Sequence, residues 1–313
     1  MVRPSVDAAI MDKRSIGYFA LMGAIVGYGG LWPVTRKAIE TIPPFWFASL
    51  RMWVGVMILV IVLFTTRRLR MPSRHDLPLI LSIGFLMLAF YTTLMHLALL
   101  YVEAGRAALL GYTTPLWVLP AAYFLFGETP SRRKLIGMAI AMTGLIILFN
   151  PRAFNWSDSD VVLGNALLLL CALLWSVTII HIRGHRPVLT PIQLAPFQLM
   201  ISASFIGILA LLFEPFPDVT SWTTAETGLF FYGATFGTAL AMMSVTTCVR
   251  YLPTVVSTVG LLGAPVCALI LSVFFLGEVL TLDLASGLIL IIGGIAMVSV
   301  PKSRSKDVAQ LKG

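Results

Sequence analysis

Apolar positions along this chain come in long runs separated by short polar breaks. Taken between the polar breaks, the runs fall at about 16–36, 45–64, 77–100, 104–126, 134–149, 161–181, 192–213, 228–248, 252–276 and 283–300. A span needs about 20 apolar residues to cross a ~30 Å hydrocarbon core at about 1.5 Å per residue. The fifth run is the shortest and lies near the lower limit. The pattern predicts ten transmembrane helices. The first run is expected to be a span and not a cleavable signal, because it is too long, ends at Thr35-Arg36-Lys37 and has no small-residue cleavage site.

Composition agrees. Of 313 residues 58% are hydrophobic and only 12% charged, against about 25% charged in soluble domains. That excludes a water-soluble enzyme, a nucleic-acid binder and a disordered chain. The net charge of +8 then reads as topology. With the N-terminus cytoplasmic, 17 of the 22 Lys and Arg fall on inner segments, among them Arg67, Arg68, Arg70, Arg74, Arg132, Arg133 and Lys134. Only Arg36, Lys37 and Arg152 fall outside, and Arg51 and Arg106 lie within helices. By the positive-inside rule this predicts N-in and C-in. Cys171, Cys248 and Cys267 all sit in apolar runs and predict buried thiols, with no disulfide framework or metal site.

The chain repeats with an offset of 150. YVEAGRAALLGYTTPLWVLPAAYFLFGET from Tyr101 lies over YLPTVVSTVGLLGAPVCALILSVFFLGEV from Tyr251 without a gap. Pro115 meets Pro265, Gly127-Glu128 meets Gly277-Glu278, Gly137 meets Gly287 and Gly144 meets Gly294. Leu31-Trp32 matches Leu174-Trp175 more loosely. Five helices per copy is an odd number, so the second copy enters the membrane upside down. Inverted repeats are a mark of secondary transporters, since opposed halves can exchange inward- and outward-facing shapes. The expected fold class is an all-α polytopic membrane protein: ten transmembrane helices as two inverted five-helix repeats. The divisions are a cytoplasmic segment 1–15, repeats at 16–150 and 161–300, and a basic tail 301–313.

The segments AGRAALLGYTTPLWVLPAAYFLFGE with GMAIAMTGLIIL, and VVSTVGLLGAPVCALILSVFFLGE with GLILIIGGIAMV, resemble the EamA domain of the drug/metabolite transporter superfamily. A tryptophan late in helix 1, an arginine in helix 2 and two five-helix copies complete the likeness, which covers about residues 16 to 300. The resemblance implies a bacterial inner-membrane carrier of small organic solutes, often an exporter of amino acids or other metabolites. It also implies a path lined by helices 1, 3, 4, 6, 8 and 9.

The residues offer candidates for that path. Tyr28 and Trp32 share a face of helix 1, and Trp175 shares one with Thr178; Tyr91 and Tyr112 fall well inside helices 3 and 4. Rings with polar tips suit an amphipathic solute, while an interfacial aromatic belt is the competing account, strongest for Trp32. Thr238 and Met242 on helix 8 and Thr258 on helix 9 mark an inward-facing stripe that serves either solute or helix packing. Pro115 and Pro265, with Gly111 beside the first, predict bends whose freed carbonyls at Gly111 and Leu261 face a cavity, or else static kinks. Arg51, about 9 Å below the outer end of helix 2, and Arg106, three residues after Glu103, are the charges inside spans and hence functional candidates. Each fits three uses: drawing a carboxylate, closing a gate or snorkelling to headgroups. His96 reads as a hydrogen-bonded interface residue, and Glu128 and Glu278 as caps of the helix that follows each.

Several chemistries lack their residues. No carboxylate lies deep in a span, and no lysine sits in the membrane core. A GxxxxGK[ST] phosphate loop and a His-Glu-x-x-His helix are also missing. The sequence therefore predicts a carrier that is not an enzyme, uses no cofactor or metal, and has as partners a small organic solute and the lipid bilayer, not nucleic acid. A passive channel is the runner-up, and an intramembrane enzyme would need a deep nucleophile–base pair. Oligomeric state is not legible.

Overall fold

The computed structural model describes residues 6–127, 130–148 and 157–299, with side chains described from Lys13 on except at positions 126, 148, 183, 254, 255, 258 and 299. Among the described residues all regular structure is helical and falls into ten stretches. These are α1 (Val6–Ala38), α2 (Pro44–Thr65), α3 (Leu77–Ser82, Ile83–Phe90 and Tyr91–Ala98), α4a (Ala104–Gly111) with α4b (Thr114–Phe126), and α5 (Arg132–Leu148). The rest are α6 (Ser159–Gly184), α7 (Pro191–Phe213), α8 (Thr224–Ala234, Thr235–Leu240 and Ala241–Tyr251), α9a (Thr254–Gly260) with α9b (Gly263–Leu276), and α10 (Leu282–Ser299). Every expected run is a helix, with ends shifted by a few residues; α1 begins well before the expected 16. By length and composition seven of them, α1 from Lys13, α2, α3, α4, α6, α7 and α8, are long and apolar enough to cross a membrane. Gly263–Leu276 and Leu282–Val298 are shorter apolar helices.

Helix ends follow local chemistry. Asp158 caps α6 by accepting from the N–H groups of Asp160 and Val161. Thr223 and Glu226 form a reciprocal capping box at α8. Pro44 and Pro191 open α2 and α7 at the first position, where no N–H is needed. Gly127 and Gly277 end α4b and α9b in the left-handed region, at φ 64° and 70°, a conformation that suits glycine.

The outer surface is apolar. Phe19, Phe124, Phe274, Phe275 and Leu282 are largely exposed, the reverse of a soluble protein, and such a surface fits lipid contact. The packing pairs elements of the two halves. α2 lies on α7, and α5 on α10; α1 lies on α8 and α9b, as α6 lies on α3 and on both parts of α4. Glycines set the closest approach: a Cβ at Gly294 would stand 2.4 Å from the carbonyl oxygen of Gly137 and 2.6 Å from the nitrogen of Ala141. The faces holding Gly137, Gly144, Gly287 and Gly294 thus bring α5 and α10 into backbone contact, as small residues do between membrane helices.

Candidate functional site

Rings from four helices meet near the break in α4. Trp32 is buried, and the space beside Gly111 is closed by it and by Tyr91: a Cβ there would lie 2.8 Å from the indole and 3.0 Å from the Tyr91 hydroxyl. Tyr91 stands edge-on to Trp175, with ring centres 5.0 Å apart at 64°, a favoured aromatic geometry. Tyr112 is within electrostatic reach of both Tyr28 and Tyr91. Tyr28, Tyr91, Tyr112 and Trp175 are half-buried. Five of the expected residues, with Gly111, therefore come together. In this conformation Trp32 and Tyr91 close on Gly111. Concavities among the described residues include an apolar groove of about 320 Å³ between α9b and α10 and a depression of about 520 Å³ at the C-terminal end of α2.

The remaining candidates separate. Thr178 is buried and its hydroxyl donates to the Leu174 carbonyl of its own helix, at 3.0 Å. Met242 packs with the α2–α7 core, away from the rings. Thr258 lies in α9a, and its side chain is outside the described residues. Thr235 and Thr246 also bond back to their own helix, so the stripe on α8 is mostly self-satisfied. Thr238 differs: it sits in the π-helical turn Thr235–Leu240, donates to the Gly233 carbonyl and accepts from Arg51 Nη1, both at 2.8 Å. The wide turn is what carries this hydroxyl across to α2.

Arg51 is 3% exposed, so snorkelling is overturned: the side chain runs inward to Thr238. Its Nε has no partner among the described residues, and Tyr28 and His96 are its electrostatic neighbours. His96 is fully buried, with Nδ1 at 2.8 Å from the Thr92 carbonyl and Nε2 unpartnered. Phe47 packs against the His96 ring, centres 6.1 Å apart. Arg106, half-buried, donates from Nε to Asn165 Oδ1 at 3.1 Å. Asp283 and Glu103 are its charged neighbours, which ties α4a to α6 and to the start of α10.

The prolines act as helix starters more than as bends in continuous helices. Pro115 lies in the first turn of α4b and Pro265 in that of α9b, where the missing N–H costs nothing. The expected free carbonyls are also corrected. Leu261 accepts from the Ala264 N–H at 3.0 Å, and Gly111 accepts from the Thr114 hydroxyl at 3.4 Å.

Carboxylates at the ends of the bundle cap helices of the other half. Glu278 accepts from the N–H groups of Ala104 and Gly105, at 2.7 and 2.9 Å. It therefore caps α4a, not the helix that follows it, which corrects the expectation; Glu128 lies outside the described residues. Glu214 accepts from Phe45 and Trp46, each at 3.0 Å. Asp76, buried, accepts from Val188 and Leu189 ahead of α7 and from Ser73. Burial pushes the carboxyls of Glu278 and Glu214 above the usual carboxylate range, with their N–H donors pulling the other way. Burial also pushes Asp76 up, but the bonds from Ser73, Leu189 and Val188 together outweigh it and hold its carboxyl at about 2. These cross-half caps were missed because the partners lie 112 to 174 residues apart. Tyr232, whose hydroxyl donates to the Val26 carbonyl at 2.7 Å, was missed for the same reason.

Comparison with known proteins places this arrangement. The chain is 24% identical over 279 residues to the uncharacterized transporter YoaV of Bacillus subtilis, covering 89% of this chain and 95% of that one. It is 26% identical over 287 residues to the uncharacterized transporter YvbV of the same organism, covering 91% and 92%. A solved crystal structure at 22% identity superposes with a TM-score of 0.62 over 95% of this chain and 98% of its own, a likeness of fold. The EamA-like transporter family model matches residues 15–150 and again 162–300. This chain, a multi-pass membrane protein, belongs to the EamA-like transporter family.

Proposed function

We propose that the protein is a secondary carrier of the bacterial inner membrane, exporting a small organic metabolite such as an amino acid by alternating access between two inverted five-helix repeats. All ten helices cross the membrane in this reading, N-in and C-in, as the distribution of Lys and Arg supports. The observation that carries the proposal is the matched interruption of α4 and α9. Each breaks two residues before or within reach of its proline, Pro115 or Pro265, and the two breaks are offset by about one repeat. α4a packs against α9b, whereas α4b rests on α6 and α9a on α8 and α10. In the N-in orientation the α4a–α9b contact, sealed by Glu278, lies at the outer face. The structure is then a state closed to the outside, and its counterpart would exchange these contacts between the repeats. The rings about Gly111 lie at the break, where the two arrangements meet.

Counterflow in proteoliposomes tests the proposal, with unlabelled solutes loaded inside and entry of a labelled amino-acid mixture followed. Saturable uptake that one class of competitor suppresses is the expected result. Flux that rises linearly with concentration and shows no counterflow would mean a passive channel and overturn the carrier.

A further inference from the structure

Arg51 is a buried cation without an anionic partner among the described residues. It is 3% exposed, and it forms no ion pair among the described residues. Among the described residues its one hydrogen-bond partner, Thr238, is neutral, and its Nε is left over. Acids at the same end of the bundle that bond elsewhere include Glu214, to Phe45 and Trp46, Glu278, to Ala104 and Gly105, and Glu40, to Lys37. A structural arginine in a membrane protein pairs, bonds backbone carbonyls or reaches the surface. Among the described residues Arg51 does none of these. Guanidinium also stays charged under any ordinary condition, so neutralising itself is not open to it.

A second orphan faces the same region. His96 holds its Nδ1–H on the Thr92 carbonyl, and Nε2 is buried without a partner. Arg51 and His96 interact electrostatically, and both flank Phe47: its ring faces the imidazole, and its edge and Arg51 Cδ close on the same side of Gly233. Two polar groups without a partner among the described residues, both more than nine-tenths buried, thus sit about Phe47, and Tyr28, half-buried, is the electrostatic neighbour of Arg51. Unsatisfied groups of this kind are costly and are expected where a ligand completes them.

We propose that Arg51 supplies the counter-charge for a carboxylate on the transported solute, so that the carrier selects organic monoanions or zwitterions over amines and neutral molecules. The proposal rests on the carrier reading above. A single guanidinium balances one negative charge; of the described lysines, Lys13 stands at the start of the apolar span of α1, and Lys37 and Lys134 lie at helix ends. That matches a carboxylate better than a phosphate dianion. The guanidinium offers a planar fork for it; its neighbour Tyr28, and the rings of Tyr112 and Trp32 gathered with Tyr28 about Gly111, suit an apolar or aromatic remainder.

The test compares, on the full-length protein, a panel of short aliphatic and aryl carboxylates with the amide and the amine of each skeleton. Binding is read from tryptophan fluorescence in detergent and transport from counterflow in proteoliposomes. Carboxylates are expected to bind and to compete, with their amides and amines weaker by at least about tenfold. Arg51→Gln should weaken carboxylate binding about 30-fold or more, the consequence of removing one partner of a buried charge pair, while Arg51→Lys retains part of it. If Arg51→Gln does not fold, the wild-type panel and Arg51→Lys still decide. Equal or tighter binding of amides or amines, no binding of any carboxylate, or an Arg51→Gln protein that binds carboxylates normally would each overturn the assignment. Counterflow of an amine without competition from carboxylates would overturn it and leave the carrier standing. Carboxylate binding without counterflow of any probe would uphold Arg51 and remove the carrier reading.

Discussion

Replacing Glu278 with Gln perturbs the seal between α4a and α9b and little else. The carboxylate takes two backbone N–H donors at 2.7 and 2.9 Å. A hydrogen bond to a charged group contributes about 1.5–3 kcal/mol and a neutral one about 1 kcal/mol. Glu278 is half-buried, so water replaces part of what is lost, and the amide oxygen keeps a neutral acceptor in place. The net loss for the two bonds is then about 1–2 kcal/mol, which moves a two-state equilibrium by roughly 5–30-fold. If the bonds exist only when the outer face is closed, the whole of that shift favours opening. A cysteine at Ala108, fully buried one turn below the cap, in a background with Cys171, Cys248 and Cys267 replaced, reports the change. Its labelling by a membrane-impermeant maleimide from outside should quicken by that factor in Glu278→Gln, and more in Glu278→Ala. Labelling rates within twofold of the parent for both variants would refute the seal.

Gly294→Val should separate α5 from α10 and lower the unfolding temperature in detergent, by the equivalent of about 1–3 kcal/mol for overpacking. Gly293→Val is the control, since its Cβ meets nothing within 4 Å; equal losses at the two sites would sink the backbone-contact argument. Asp76, held at about 2 against about 3.9 unfolded, contributes stability that is complete above about pH 5 and lost as pH falls through 2. Asp76→Asn should be less stable at neutral pH and lose this acid limb, and an unaltered stability–pH curve would count against the cap. Tyr112→Ala and Pro115→Ala should impair transport while the protein still inserts; transport at the parent rate in both would remove α4 from the path.

Local patterns carried the fold a long way. Ten apolar runs became ten helices, since a run bounded by polar residues depends only on its own composition. The offset of 150 anticipated paired features, and Gly127 and Gly277 do adopt matching left-handed ends. The meeting of Trp32, Tyr91, Tyr112 and Trp175 was also within reach, because their spacing places them inside spans. What a single sequence lacks is the partner. Whether Arg51 turns to headgroups or to Thr238 depends on the π-helical turn of α8, which has no compositional mark in TFGTAL. Thr178, by contrast, had the same helix position as a cavity residue and satisfied itself on Leu174. Glu278 is a cap, as its place after a glycine predicts, but of another helix, because the N–H groups it serves belong to residues 173 and 174 positions earlier.

Those long separations also govern the order in which the molecule can be completed during synthesis. The N–H groups of Phe45 and Trp46 wait for a carboxylate 169 and 168 residues downstream. At about 5–20 residues per second on the ribosome, that delay is about 10 to 30 s. Through it, the first repeat stands in the bilayer with the starts of α2 and α4a served by water or lipid headgroups. The first five helices are therefore not a finished folding unit, and the second repeat acts as the template that closes them. A gene split between the repeats would make this visible, the stability of the first fragment in cells rising only when the second is produced beside it.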